Sequence, residues 1–236
     1  MKNRTLGPYT VSAIGLGAMP VSMNRDNTYP ARDDAIAMIH AALDAGVTLI
    51  DTADIYAPAD AEMGHNEQIV RDALASWGGD TDGIVVATKG GIVRQADGGV
   101  GRDGSLTYLR SAVEKSLRNL GIDAIDLYQY HRPDRWMVYG DIMDNLKTLR
   151  EEGKVQQIGI SNASVEEIDI ARAESARQRA LEQLWKRDED VDGDRDRDPG
   201  ESGLSGVTIF SDLNENGRLD SGEPHTVTMR DISETD

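Results

Sequence analysis

Apolar positions along the first 160 residues fall into two alternating rhythms. Runs of four to seven mostly apolar, β-branched residues predict strands, and stripes repeating every three or four residues predict helices between them. Residues 4–18 read as a short hairpin turning at Gly7-Pro8, then a first strand, Ile14-Gly-Leu-Gly-Ala18, with loop over 20–32. Asp33 or Asp34 opens a helix whose Ile36, Ile39, Leu43 and Val47 share one face, closed at Gly46. Thr48 to Asp51 is a strand. Asn66 is placed to cap a helix running to Trp77, with Ile69, Val70, Ala73 and Leu74 inward. Ile84 to Thr88 is a continuous run, as expected of a strand buried on both faces. A Gly-rich loop follows from Gly90 to Gly104. Leu109, Val113, Leu117 and Leu120 mark the next helix, Ala124 to Tyr130 the next strand. Ile142, Leu146 and Leu149 mark a further helix, and Val155 to Ile160 a fifth strand.

The unit is βα, repeated at roughly thirty-residue intervals, so each helix supplies the crossover that parallel strands require. A closed barrel and an open doubly wound sheet both fit. The polar residues that end the strands favour the barrel, in which strand ends converge on one face. Asp51, Lys89, His131 and the pair Ser161/Asn162 each terminate such a run, and Tyr56 follows Asp51 in a loop.

After the fifth strand the rhythm stops. Ser164 and Glu167 form a capping box, and one helix is expected over about 164–187. The chain then enters Asp188 to Asp198, too charged to bury. Only Val207–Phe210 and His225–Met229 look strand-like beyond it. Three regions follow: 1–173, a helix extension and acidic linker over 174–202, and a small β-rich fragment over 203–236.

Charge supports that division. The net charge is −17; residues 1–173 hold 17 basic against 25 acidic residues, and 174–236 hold 8 against 17. About a quarter of the chain therefore carries half of the net charge. An acidic protein of this kind is a poor partner for nucleic acid. There is no Cys, which excludes disulfides and thiolate metal sites. Residues 1–10 lack a signal-peptide core, and no stretch approaches the ~18 apolar residues of a membrane span. A soluble cytoplasmic protein is the expectation. Nothing in the sequence specifies an oligomeric state.

Taken singly, the strand-end residues have ordinary readings: Asp51 as a turn residue, Lys89 as a solvated cation, His131 as a packed hydrogen-bonding side chain. Taken together they suit acid–base work on a carbonyl. A phenol near pH 10 must be brought to about pH 7 to act as an acid there, which requires roughly 4 kcal/mol. A neighbouring ammonium supplies such a field, an aspartate keeps that ammonium charged and oriented, and a histidine holds the carbonyl oxygen. Tyr56, Lys89, Asp51 and His131 fit those four roles.

At this point the chain resembles the aldo-keto reductase family over residues 1 to about 173. The matching stretches are Ile14-Gly-Leu-Gly-Ala18, Asp51-Thr-Ala-Asp-Ile-Tyr56, Gly64-His-Asn-Glu67, Ala87-Thr-Lys89, Asp126-Leu-Tyr-Gln-Tyr-His131, Leu146 to Lys154 and Ile158-Gly-Ile-Ser-Asn162. The resemblance implies a (β/α)₈ barrel, here incomplete at about five βα units and followed by an acidic, mostly irregular tail with a β-hairpin. It implies Asp51, Tyr56, Lys89 and His131 as the catalytic set, with Tyr56 as general acid. It implies Ser161 and Asn162 as holders of a nicotinamide carboxamide, and hydride transfer between NADPH, or NADH, and an aldehyde or ketone. The family's sixth-strand Gln, its nicotinamide-stacking aromatic and its phosphate-gripping basic residues have no counterpart in 174–236. A dinucleotide fingerprint at Gly15-x-Gly17 is rejected, because Pro20 stands where the third glycine belongs.

The tail has a signal of its own. Asp212, Asn214, Asn216, Arg218, Asp220 and Glu223 occupy positions 1, 3, 5, 7, 9 and 12 of a calcium loop, with Gly217 at the sharp turn. Its flanks are not helical. With Gly206-Val-Thr-Ile-Phe210 before it, the stretch resembles the calcium loop of SdrD B-like repeats of bacterial surface proteins. A polar, Gly-rich hairpin loop is the equal alternative. Asp188-x-Asp190-x-Asp192-Gly193 begins the same way but has Pro199 at position 12, and reads as an acidic linker. The two functional readings are thus a carbonyl-reducing oxidoreductase, or a non-enzymatic truncated barrel fused to a calcium-binding fragment.

Overall fold

The computed structural model describes residues 1–23, 28–95, 98–134, 136–188, 208–210 and 225–227. The chain divides into two compact units, Met1–Val165 and Glu166–Asp236. The first opens with an antiparallel hairpin, β1 (Asn3–Leu6) and β2 (Tyr9–Ser12), turning through Gly7 at φ 57°. Strand β3 (Leu16–Gly17) leads through a 3-10 turn (Met19–Val21) to helix α1 (Arg32–Asp44). There follow β4 (Leu49–Asp51), α2 (His65–Ser76), β5 (Val85–Gly90), a hairpin of β6 (Ile92–Arg94) and β7 (Val100–Arg102), and α3 (Leu106–Leu120). The unit continues through β8 (Ile125–Tyr130), α4 (Tyr139–Glu151) and β9 (Val155–Ile160), and α5 (Val165–Asp188) starts at its edge. In the second unit β10 (Thr208–Phe210) pairs antiparallel with β11 (His225–Val227), where the sequence predicts two strands.

Strands β3, β4, β5, β8 and β9 form one parallel sheet in chain order. This is the arrangement of five successive βα units of a (β/α) barrel. One row runs across it through Gly17, Asp51, Ala87, Leu127 and Gln157. Side chains alternate along each strand, so this row and residues two further on share a face. The opposite face, which carries Ile50 and Val86, packs on the helices. Ala35, Ile39 and Leu43 of α1 join Ile69, Val70 and Ala73 of α2 in that core. Burying a side chain of Ile or Leu size contributes about 1.5–3 kcal/mol, so this layer holds the helices to the sheet.

Three local expectations are corrected. Asn66 does not cap α2: the cap is Gly64, in the left-handed region at φ 96°, and Asn66 lies fully buried inside the first turn. A Cβ on Gly64 would fall 1.9 Å from the amide nitrogen of Asn119, so the position demands glycine twice over. Residues 90–104 are not all loop, because β6 and β7 pair there in the register Ile92↔Arg102. Ile92 is buried against Ala53 and Ile55, and the Arg94 guanidinium donates to the carbonyls of Ala57, Pro58 and Ala61. The first strand is shorter than Ile14–Ala18, since only Leu16 and Gly17 pair with β4. Helix α3 matches its signals, with the Ser105 side chain accepting from the Tyr108 N–H and Gly121 closing it in the left-handed region. No helix among the described residues is long and apolar enough to cross a membrane.

Two acids are buried behind the sheet. Glu67 accepts from the Thr88 hydroxyl (2.7 Å) and the Asn119 amide (2.9 Å). Burial raises its carboxyl above the usual range, against the pull of those donors. Asp54 has no donor to its Oδ1. Burial first, then the Glu67 carboxylate, pushes it well above the usual range, opposed by the Ile55 N–H, Lys115 and Lys89. An acid whose folded-state value is raised lends stability that is whole below its unfolded value, near pH 4, and is lost as pH rises through the folded value. Asp54→Asn keeps the shape and removes that loss. Its melting temperature should exceed that of the natural chain by a margin that widens from pH 5 to pH 8.5. Thermal melts across that range check it, and a constant margin would count against a protonated Asp54.

Candidate active site

The sheet register explains why separated residues meet. Asp51 lies in the row of Ala87, two residues short of Lys89, and Lys89 pairs with Gln129. Asp51, Lys89, Gln129 and, one step beyond β8, His131 therefore point to the same side of the sheet, away from the helices. The His131 N–H extends the pairing by donating to the Gly90 carbonyl (2.9 Å), and the Ser161 N–H does the same to Tyr130 (3.0 Å). All the strand-end candidates thus gather at the C-terminal ends of β4, β5, β8 and β9.

Lys89 is the centre. Its side chain is 5% exposed and its Nζ has three oxygen neighbours. They are Asp51 Oδ2 at 2.7 Å, the Thr52 carbonyl at 2.9 Å and the Tyr56 hydroxyl at 3.5 Å. Three donors thus meet three acceptors, which is the full capacity of an ammonium. Asp51, whose side chain is 39% exposed, uses its other oxygen to accept from Gln129 Nε2 (3.2 Å). The ammonium also lies 5.1 Å from the centre of the Tyr56 ring.

His131 also packs against Tyr56, its ring edge-on at 5.5 Å between centroids and 85° between planes. Burial, then the charges of Lys89 and Arg132, pushes the imidazole down to about 4. The ring is therefore neutral near pH 7 and has one N–H to donate. Its Nδ1 is buried without a protein partner. Tyr56 is half-buried and touches both a cation and a neutral ring.

Asn162 sits in the left-handed region at φ 55°. Its Nδ2 donates to the His131 carbonyl and to Ser161 Oγ, both at 3.0 Å. That leaves its amide oxygen as an acceptor and the Ser161 hydroxyl as a donor, a set that suits a carboxamide, which offers N–H groups and a carbonyl together. The six calcium-loop residues, Asp212, Asn214, Asn216, Arg218, Asp220 and Glu223, lie outside the described residues. Among the described residues no group of three or more His, Asp or Glu side chains could hold a metal ion.

Two contributors were not anticipated from the sequence. Gln129 stands two residues before His131, so strand alternation alone places it on the site face. Thr52 acts through its backbone carbonyl, which no side-chain pattern marks.

The chain matches the model of the aldo/keto reductase family over residues 13–185. Its fold is similar to that of a glycerol dehydrogenase from Gluconobacter oxydans, with 35% identity and a TM-score of 0.59, over 70% of this chain and 49% of that one. It is also similar to an aldo-keto reductase from Bacillus halodurans solved in its holo form. Here identity is 33% and the TM-score 0.59, over 72% of this chain and 53% of that one. The chain spans about half the length of these solved relatives. With a family model covering most of its residues, and these neighbours in the same family, the chain belongs to the aldo/keto reductase family.

Proposed function

We propose that this protein is an oxidoreductase that reduces an aldehyde or ketone to an alcohol, and runs the reverse, with Tyr56 as general acid. The observation that carries the reading is the Lys89 ammonium held between Asp51 Oδ2 at 2.7 Å and the Tyr56 hydroxyl at 3.5 Å. A substrate carbonyl accepts a hydrogen bond from Tyr56 and one from the neutral His131 ring. As hydride reaches the carbonyl carbon, the oxygen takes the Tyr56 proton. The tyrosinate left behind faces Lys89, and two opposite charges about 4 Å apart attract by roughly 4 kcal/mol at an effective dielectric near 20. Asp51 keeps Lys89 charged and aimed, and Gln129 holds Asp51.

NADPH, with NADH as the alternative, is the hydride source of this reading. Ser161 and Asn162 would hold its carboxamide, using the hydroxyl and the amide oxygen that their mutual bonding leaves available. The name of the Gluconobacter neighbour makes glycerol, and the small carbonyl compounds formed by its oxidation, the first substrates to try. A second reading, a non-enzymatic barrel fragment, draws on one observation, the half-length coverage of the solved relatives.

An NADPH titration followed by tryptophan fluorescence separates the two. The chain has three Trp residues, and Trp136 is exposed in the segment after His131. Saturable quenching is expected, and none at millimolar cofactor would favour the second reading. Tyr56→Phe should then lower carbonyl reduction by at least 10²-fold while leaving the quenching curve in place. A further expectation concerns His131 alone. Its ring should stay neutral as pH falls from 8 to 5, and nitrogen chemical shifts of the imidazole report this directly; protonation near pH 6.5 would remove it as a neutral donor.

A further inference from the structure

The Gly64-His-Asn-Glu67 stretch plays no part in the chemistry above, yet its Asn66 reaches both sides of the Tyr56–Lys89 pair. Its side chain is fully buried, and every polar group it has is used. The backbone N–H of Asn66 donates to the Tyr56 carbonyl (3.1 Å). Its Oδ1 accepts from the Thr52 hydroxyl (2.6 Å), and its Nδ2 donates to the Ala18 carbonyl and Ser22 Oγ, both at 2.8 Å. The Ala18 carbonyl can only accept, so the amide nitrogen must face it. The amide oxygen must then face Thr52, and the Thr52 hydroxyl must donate. Among the uncharged side chains short enough for this turn, only an amide offers one acceptor and two donors at once.

Thr52 is the residue whose carbonyl holds Lys89 Nζ at 2.9 Å. It is buried, whereas Asp51, the other anchor of that ammonium, is 39% exposed and shares its charge with solvent. The dry anchor is therefore the Thr52 carbonyl, and the residue that carries it is held through both backbone and side chain. The Thr52 N–H donates to Ala87 (2.8 Å) and its side chain is tied to Asn66. The turn that carries Tyr56 away from β4 is clamped by the same helix end, through Gly64 N–H to the Asp54 carbonyl (2.6 Å) as well as Asn66 N–H to Tyr56.

We propose that Asn66 is a positioning residue for proton transfer, holding the Thr52 carbonyl against Lys89 through its amide oxygen and the Tyr56 turn through its N–H. The inference rests on the reading of Tyr56 and Lys89 as the proton-transfer pair. Glu67 supports the neighbouring strand in a parallel way, through the Thr88 hydroxyl, but reaches neither Lys89 Nζ nor Tyr56.

Thr52→Val removes the hydroxyl that Asn66 holds and keeps the side chain's volume; Thr52→Ser keeps the hydroxyl. Asn66→Ala removes the amide. Circular dichroism and melting first establish that each variant is folded. The direct readout is acetylation of Lys89 by acetic anhydride, followed by peptide mass spectrometry and compared with Lys2 and Lys154 in the same sample. Lys89 should react at least fivefold faster in Thr52→Val and in Asn66→Ala, and at the natural rate in Thr52→Ser, with Lys2 and Lys154 unchanged. A natural Lys89 rate in folded Thr52→Val overturns the proposal, as does equal acceleration at all three lysines. Should Asn66→Ala fail to fold, the Thr52 pair decides alone. Where the natural chain turns over a carbonyl, Thr52→Val should lower kcat about tenfold or more at unchanged NADPH affinity, and Thr52→Ser should restore it to within threefold. Lack of turnover by the natural chain would count against the proposed reaction, while the labelling would still decide the clamp.

Discussion

The first unit is organised around one buried cation. An ammonium taken out of water costs several kcal/mol, and the cost is offset only when its donors are matched. At Lys89 they are matched by Asp51 Oδ2, the Thr52 carbonyl and the Tyr56 hydroxyl. All six residues of β5 are buried, Lys89 among them. The neighbours must come to it. Register brings Asp51 and Gln129 from the flanking strands, and the turn after β4 brings Thr52 and Tyr56.

Burial first, and then the same cation, sets the state of His131. Burial alone disfavours a charged imidazole, and Lys89 disfavours it further. His131 is thereby held neutral near pH 7 beside a phenol that also contacts the Lys89 ammonium. In the proposed reaction this difference in charge is what assigns roles: charge stabilisation to Lys89, hydrogen-bond donation to His131. The other face of the sheet bears a cost of its own. Asp54 and Glu67 lie buried near each other, and Glu67 has donors from Thr88 and Asn119 while Asp54 Oδ1 has none. Polar clamping of the helix end to the strand ends leaves one acid better off as its neutral form.

Much of this was legible in the sequence, for a physical reason. Strand and helix periods are local, and a polar residue closing an apolar run marks the strand end where a site can form. That is why Asp51, Lys89, His131, Ser161 and Asn162 stand out in the sequence. Asn66 shows what such reading misses. An Asn ahead of an apolar stripe looks like a helix cap, but here the cap went to Gly64, whose left-handed backbone and lack of a Cβ suit the crowding against Asn119. Asn66 instead turned inward to partners 14, 44 and 48 residues away. The β6–β7 hairpin was missed likewise, because its strands are short, flanked by glycine, and held by Ile92 and Arg94 against residues 53–63. The family model runs on to residue 185, through a helix with no Gly or Pro to punctuate it.

Among the described residues, the hydrogen bonds around Lys89 come from β4, β5, β8 and the turn after β4, and the tie from Asn162 to His131 comes from the end of β9. All of them lie within Met1–Val165. The groups proposed to move a proton therefore depend on neighbouring strands and one helix end, not on contacts spread across a full family-length chain. Holding a dinucleotide is a different demand: it needs a long surface with anchors for the ring, the pyrophosphate and the ribose phosphate, and the proposed role of Ser161 and Asn162 concerns the first of these. Proton transfer and cofactor grip are thus separable properties of this fold, the first compact and set by register, the second extended. The geometry around Lys89 lies within one compact unit, and so that geometry and cofactor affinity must be measured independently.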